Sequence, residues 1–431
     1  MNLYQRHFAK ALVLLISFVT FNQPVFAAPV ELSLNDSVVL ALKNNQNIKI
    51  ANLNREKTFW ALKQAKADKG FTFSYTHTEQ RYNTPPSTLI PYYYWTTKFD
   101  NSFSLSLPIY TGGKLESQIN QANLNLKVSD LNFDATKQQV KQIVTNYYFS
   151  VLQCRENLQV SRETVDNYVS HLKNVQLQFA AGTVARSDVL TSEVSLANAQ
   201  NDLIKAQNNY ELAVANLNNA MGLPLETELI LKEDLQLQKD IRTLDDCVNY
   251  ALANRPELAE YQAKIAIAQD DIKIAQSGYL PTVNFVAKED WYDKELPGAD
   301  NNNWLVGLNV SLNIFDSGIN KSKVKQSQYS LDMTREQAQQ ERDTILLEVR
   351  QYYLSMHEAE NRIDTSNVAV DKAKDSLRIA ELRYSAGVGT NLDVLDAVLA
   401  LNQAKTNYIQ AMHDYNTSKA QLDKAIGLAV N

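Results

Sequence analysis

Hydrophobic and polar residues alternate along four stretches of the chain, which predicts β-strands with one apolar and one polar face. In the first stretch Phe71, Phe73 and Tyr75 alternate with hydroxyl and amide side chains. Aromatic residues crowd the ends of the stretches, a pattern typical of strands that cross a membrane. A soluble sandwich also alternates in this way, so the strands alone leave both interpretations open. The predicted strands cover about 71–82, 98–110, 282–293 and 303–315.

Two much longer stretches contain no helix breaker, and each predicts one rod-like helix, at about 113–181 and about 318–386. At ~1.5 Å per residue, such a helix spans on the order of 100 Å, more than a compact domain holds. Tyr147, Val151 and Leu158 fall on one apolar stripe, which predicts a seam packed against neighbouring helices.

The two halves of the chain repeat one another. Residues Phe179–Leu190 reappear as Tyr384–Leu395, displaced by 205 positions, and the same displacement relates Gly113 to Gly318. Each half has the order helix, two strands, very long helix, shorter helix. We therefore predict a first structural repeat over 28–230 and a second over 231–431, which makes the fold a mixed α and β architecture with an internal two-fold repeat.

The first 27 residues have the pattern of a signal peptide. Arg6 and Lys10 precede an apolar run, and Val25-Phe26-Ala27 offers small residues where a signal peptidase cleaves. A short membrane anchor is the alternative, although a spanning helix needs about 20 apolar residues. The remaining sequence has no apolar segment of that length, so in a membrane it would have to form a closed barrel.

Composition and motifs argue against several classes of function. The net charge of −6 on an exported chain disfavours nucleic acid as a partner. The sequence has no glycine-rich phosphate loop, and His357 lacks the second histidine of a zinc motif, because position 361 is Asn361. We predict no enzyme, no cofactor and no metal site. Cys154 and Cys247 would either pair in an oxidising compartment or stay free.

Four strands cannot close a barrel around a pore, and an open edge in lipid would leave backbone groups unpaired. Several subunits would have to contribute strands. Two chains would supply eight strands, which leave no wide lumen, whereas three would supply twelve, which leave one. The sequence favours three chains on this argument alone.

Four motifs follow one another along the chain: Leu107–Lys114, Ala251–Leu258, Gly278–Pro281 and Tyr384–Ala397. In this order they resemble the motifs of the TolC family of outer-membrane factors, and the resemblance covers nearly all of the chain after the signal segment. It implies a membrane protein in which a homotrimer forms a 12-stranded transmembrane β-barrel, four strands per chain, continued by a periplasmic α-helical barrel.

The resemblance also implies a function and partners. Members act as the exit duct of efflux pumps or type I secretion systems, with a periplasmic gate and no catalysis. Partners would be a periplasmic adaptor (membrane fusion) protein, an inner-membrane transporter of the RND, ABC or MFS type, and outer-membrane lipid. The expected location is the outer membrane of a Gram-negative bacterium, with most of the mass in the periplasm. The cargo stays open, because the transporter selects it.

Site residues carry over from the family one position at a time. Asp393 and Asp396 match two acidic rings at the channel entrance, where like-charge repulsion should raise the pKa of the carboxyl groups. The adaptor would dock at the turns between long and short helices. The residues that match those turns are Gly182, Thr183, Gly387 and Val388.

A latch between the helix pairs is the third family feature. Asp188, Ser187 and Tyr384 match latch positions, whereas the family's latch arginine aligns with Gly389. Arg186 is a nearby candidate to replace that arginine. The competing hypothesis is an exported trimeric coiled-coil structural or adhesin protein without a transport role. It would account for the rods but not for two amphipathic hairpins at equivalent places.

Overall fold

The computed structural model describes residues 30–296 and 301–430, so the predicted signal segment lies outside the described residues. The elements of the first half recur in the same order in the second half. The first half contains β1 (Val30–Leu32), α1 (Leu34–Asn44), α2 (Gln46–Ala67), β2 (Thr72–Thr84), β3 (Tyr94–Tyr110), α3 (Lys114–Ala180) and α4 (Arg186–Met221). The second contains β4 (Leu229–Leu231), α5 (Leu244–Asn254), α6 (Pro256–Gln276), β5 (Thr282–Asp293), β6 (Asn301–Ser311), α7 (Ile319–Ser385) and α8 (Asn391–Ala425).

The starts of the two halves are joined by a short parallel pairing of β1 with β4, in which Val30 lies opposite Leu229. The following helices begin in the same way. Ser33 and Asp36 form a capping box at α1, and Thr243 forms one with Asp246 at α5. In each box the hydroxyl oxygen accepts from a backbone N–H that the helix would otherwise leave unpaired, and the carboxylate accepts from the capping residue.

The four long strands form one antiparallel sheet in the order β2-β3-β5-β6. Strand β6 ends at Ser311, which pairs with Thr282, the first residue of β5. The predicted extension of this strand to residue 315 is wrong, because β5 supplies no pairing partner beyond that point. Within the described residues, β2 and β6 each have one neighbouring strand, so each presents an edge with unpaired backbone groups.

Each rod packs against its own shorter helix, giving a first helix pair (α3 and α4) and a second helix pair (α7 and α8). α3 and α7 each run for 67 residues because neither contains glycine or proline. Each pair has its own apolar core, which includes Tyr148 and Leu217 in the first and Tyr415 and Leu422 in the second. These side chains are fully buried.

A third apolar core lies near the turns that join the rods to the shorter helices, and all four helices contribute to it. Tyr168 and Val175 come from α3, Ala199 from α4, Tyr384 from α7 and Val398 from α8. This core brings both turns to the same end of the molecule. Among the described residues, none of the helices has an apolar segment long enough to cross a membrane.

Candidate gate at the end of the helix pairs

The first turn (181–185) and the second turn (386–390) have the same backbone geometry. Gly182 has φ of +75° and Gly387 has φ of +73°, values that favour glycine. After each glycine, a backbone N–H bonds back to the rod, from Thr183 to the carbonyl of Gln178 and from Val388 to that of Arg383. A Cβ added at either glycine would meet nothing within 4 Å. The predicted docking residues thus lie on two equivalent, outward-facing turns.

Asp393 and Asp396 lie in the first turns of α8 with exposed side chains, while Val394, Ala397 and Val398 between and beyond them are buried. The two carboxylates therefore share the face of α8 that points away from the core of the chain. The expectation that they belong to one surface at the end of the helix pairs fits this geometry. Their arrangement in rings depends on further copies of the chain.

Asp393 has a second role, which the sequence analysis did not anticipate. Its carboxylate accepts a hydrogen bond from the Thr390 backbone N–H at 2.9 Å, and its own N–H donates to the Thr390 hydroxyl at 3.1 Å. Hydrogen bonds from the Thr390 backbone and side chain to the carboxylate, together with the charge of Arg383, lower the pKa of Asp393, against the direction expected from ring repulsion. The Thr-x-x-Asp spacing was the signal that predicts this capping box.

The predicted latch residues lie near one another, but the carboxylate of Asp188 does not bond to Tyr384. The Tyr384 side chain is 5% exposed, and its hydroxyl has no hydrogen-bond partner among the described residues. Burial raises the pKa of this hydroxyl, and the charge of Asp188 adds to the effect. Ser187 and Arg186 are exposed at the start of α4.

Gly389, at the position of the family's latch arginine, packs tightly against the end of α7. A Cβ here would lie 3.0 Å from the backbone nitrogen of Tyr384 and 3.1 Å from the carbonyl carbon of Arg383. Since backbone atoms cannot give way cheaply, an arginine side chain does not fit this backbone without a shift. This chain therefore has no arginine at position 389 to link its helix pairs.

The structure reveals a buried polar cluster in this region, which we name the tip cluster: His171 of α3, Ser192 of α4 and Asn391 of α8. The His171 Nε2 lies 2.6 Å from the Asn391 Oδ1, and the Ser192 hydroxyl lies 3.1 Å from the same oxygen. The Asn391 amide donates to the Asp188 carbonyl at 3.1 Å. Burial lowers the pKa of His171. Sequence analysis missed all three residues, although polar side chains on otherwise apolar stripes were a usable signal.

Other chemistry is not apparent in the described part of the chain. No group of three or more histidine, cysteine, aspartate or glutamate side chains there is placed to hold a metal ion. Cys154 and Cys247 are both free, and burial raises the pKa of each thiol, which disfavours the reactive thiolate.

Comparison with known proteins agrees with this architecture. The sequence profile of the outer membrane efflux protein family matches residues 38–223 and 247–428. The outer membrane protein TolC of Escherichia coli K12 is 27% identical over 319 residues, which cover 70% of this chain and 64% of TolC. The toxin and drug export protein A of Aggregatibacter actinomycetemcomitans is 23% identical over 401 residues, covering 90% of this chain and 86% of that protein. The chain thus spans slightly less than two thirds of the TolC relative's length.

Solved structures show the same fold. The CmeC outer membrane channel of Campylobacter jejuni superimposes with a TM-score of 0.81 at 20% identity, covering 91% of this chain and 85% of CmeC. The chain has the fold of a solved outer-membrane channel, and the two matched segments fall one in each half of the chain. The chain belongs to the outer membrane efflux protein family.

Membership in a family of outer membrane efflux proteins favours the export hypothesis raised by the sequence over the adhesive rod. The family is described as one of outer membrane efflux proteins. The chain is accordingly an outer-membrane protein of a Gram-negative bacterium, with its long helices in the periplasm.

Proposed function

We propose that three copies of this chain form one continuous channel, the exit duct of an efflux pump or a type I secretion system. The observation that carries this proposal is the combination of an open four-stranded sheet with two helix pairs that end at one gate-like tip. Transport through such a duct is passive and needs no catalytic step. The duct would carry cargo from the periplasmic side to the exterior.

The sheet supports the number of copies. Its edges, β2 and β6, would pair with the edges of neighbouring copies, which closes the sheet without leaving backbone groups unpaired in lipid. Three copies supply twelve strands, enough for a lumen. Large apolar side chains of β6, including Trp304, Leu308 and Val310, are more than 60% exposed in the single chain and would meet lipid.

The proposed protein partners act at the end of the molecule where the two turns lie. A periplasmic adaptor protein would dock on the turns that contain Gly182 and Gly387, and an inner-membrane transporter would deliver the cargo through it. One relative is a toxin and drug export protein, so both small molecules and polypeptides are candidate cargo. Deleting the gene, and scoring the cells for dye, detergent and antibiotic sensitivity and for loss of secreted proteins, would decide the cargo.

The proposed channel predicts a trimer that conducts ions. The full-length protein, extracted in detergent, should have the mass of three chains by light scattering, show strong helical circular dichroism, and form discrete conductance steps in planar bilayers. The reason is that one chain alone leaves two sheet edges open. A folded monomer that is stable in detergent would contradict the assembly, and a trimer without conductance would contradict the function.

The docking proposal predicts a selective defect at the tip. Gly387→Leu places a side chain in open space, so it should block adaptor docking and abolish export while leaving the trimer and its bilayer conductance intact. The positive φ adds roughly 1 kcal/mol of strain. Gly113→Leu is the matched control, because Gly113 has φ of +82° with nothing within 4 Å, at the opposite end of the rod. Export assays in a complemented deletion strain should separate the two variants. Equal loss in both would mean that strain, and not docking, causes the defect.

A further inference from the structure

The Asn391 amide lies at the centre of the tip cluster and is hydrogen-bonded through both its nitrogen and its oxygen. The Asn391 Nδ2 donates to the Asp188 carbonyl, so the other end of the amide must be the oxygen, which faces His171 and Ser192. Because this oxygen can only accept, the His171 Nε2 carries a proton and donates it. The Ser192 hydroxyl has two acceptors for its single proton, the Asn391 oxygen and the Asp188 carbonyl at 2.8 Å.

The cluster lies within apolar surroundings. His171, Ser192 and Asn391 are 5%, 1% and 7% exposed, and the third apolar core surrounds them. The Tyr384 ring of α7 lies with its centroid 5.0 Å from that of His171. Buried polar groups are stable only when each finds its partner, so such a cluster favours one register of the packed helices. Any movement of α8 away from α3 and α4 would separate His171 and the Asn391 amide from these partners, whereas Ser192 would keep the Asp188 carbonyl on its own helix.

The duplication did not produce this cluster twice. The residues 205 positions from His171, Ser192 and Asn391 are Ser376, Ala397 and Arg186. Ser376 and Arg186 are exposed, and Ala397 is an apolar residue in the core. This buried polar contact therefore occurs in only one of the two equivalent places, where α8 of the second helix pair meets α3 and α4 of the first.

We propose that His171, Ser192 and Asn391 form the lock that holds the second helix pair against the first when the channel entrance is closed. This inference rests on the proposed channel function. The lock takes the place of a latch arginine at position 389, where a Cβ on Gly389 would lie 3.0 Å from the Tyr384 backbone nitrogen. The three residues are positioning residues, since they hold α8 and do not contact cargo. The entrance opens when α8 leaves this contact.

The test compares single-residue variants of the full-length trimer in planar bilayers. Asn391→Ala removes the shared amide, and His171→Phe keeps an aromatic ring but removes the donor. Each should raise mean conductance at least about threefold, and the double variant should add little, because both break the same lock. His171→Gln restores a neutral donor and should bring conductance back towards the wild-type value. Asn407→Ala is the matched control, because the Asn407 side chain is exposed on the same helix and accepts from Gln403 one turn away.

A second measurement tests the lock independently of the channel hypothesis. Amide hydrogen exchange in residues 391–400 should accelerate about tenfold in Asn391→Ala and His171→Phe, and much less in His171→Gln and Asn407→Ala. Ser192→Ala, a smaller change, should show an intermediate effect if Asn391→Ala fails to fold.

If the wild-type trimer does not conduct, the proposed function fails, and hydrogen exchange alone decides whether the lock exists. If the wild type conducts and neither readout changes in Asn391→Ala and His171→Phe, the lock is wrong. If His171→Gln behaves like His171→Phe, ring packing holds the helices and the hydrogen-bonded lock is also wrong.

Discussion

Neutralising the two entrance acids, Asp393→Asn with Asp396→Asn, should abolish block by trivalent cations and most of the channel's cation preference. Both carboxylates are exposed on one face of α8, and three copies would bring six of them to the narrowest point. The attraction between two opposite unit charges about 4 Å apart is ~1 kcal/mol even in water. The binding energy of a trivalent ion among several carboxylates is a multiple of that. We therefore expect at least about a tenfold weaker block, which corresponds to about 1.4 kcal/mol. Titration of the blocking ion in planar bilayers measures it.

The capping box determines which substitution is suitable for this experiment. Alanine at Asp393 would remove both the charge and the acceptor for the Thr390 N–H, whereas asparagine retains an acceptor. The matched control is Asp202→Asn with Asp332→Asn, which removes the same charge from exposed carboxylates paired with Lys205 and Arg335. If block and selectivity persist in the entrance variant, or fall equally in the control, these acids do not line the entrance.

The pH dependence of the block follows from the lowered pKa of Asp393. A carboxyl group whose pKa lies below its usual value of 3.8 stays charged as the pH falls, until the pH reaches that lowered pKa. We expect the capping bonds within each copy to outweigh the repulsion among three copies, so the Asp393 charge should still contribute to trivalent block at pH 5. Loss of the block at pH 5 would show that the repulsion dominates. Repeating the titration at pH 7.5 and pH 5 checks this, with Asp396→Asn as the background so that Asp393 is the remaining entrance acid.

The rods and the duplication were predictable because their signals are local or periodic. An unbroken run without glycine or proline predicts a long helix directly, and the structure has α3 at Lys114–Ala180 and α7 at Ile319–Ser385. Val151 and Leu158 of the predicted apolar stripe are buried, whereas Tyr147 is 38% exposed. Strand ends were less predictable, since β6 stops where its neighbour β5 begins and not where its own alternation ends.

The tip cluster was not predictable from these patterns, because its hydrogen bonds join residues about 200 positions apart. His171 and Asn391 meet only after both helix pairs have packed. His171 belongs to none of the four motifs, and the motif that contains Asn391 gives no sign of its partner. The β1–β4 pairing was missed for a related reason, since three residues carry too little alternation to mark a strand. Family resemblance did not help at the tip, because it directs attention to an arginine that this chain lacks at Gly389.

The equivalence of the two repeats should be measurable as equal losses of stability. Leu217 of α4 and Leu422 of α8 are related by the displacement of 205 positions, and both are 0% exposed, each in the core of its own helix pair. Truncating a buried leucine to alanine costs about 2–5 kcal/mol, through lost burial and the cavity left behind. Leu217→Ala and Leu422→Ala should therefore lower the apparent Tm of the detergent-extracted protein by similar amounts, followed by circular dichroism.

Leu212→Ala provides the control for this comparison, because Leu212 lies on the same helix as Leu217 but is 55% exposed. Its effect should stay within about 0.5 kcal/mol. Two transitions, of which each core variant shifts only one, would show that the helix pairs unfold separately. A single transition that both variants lower together would show that the third core, to which all four helices contribute, couples the pairs into one cooperative unit. We expect the single transition, since the gate at the tip depends on contacts between the pairs and would lose its geometry if either pair unfolded alone.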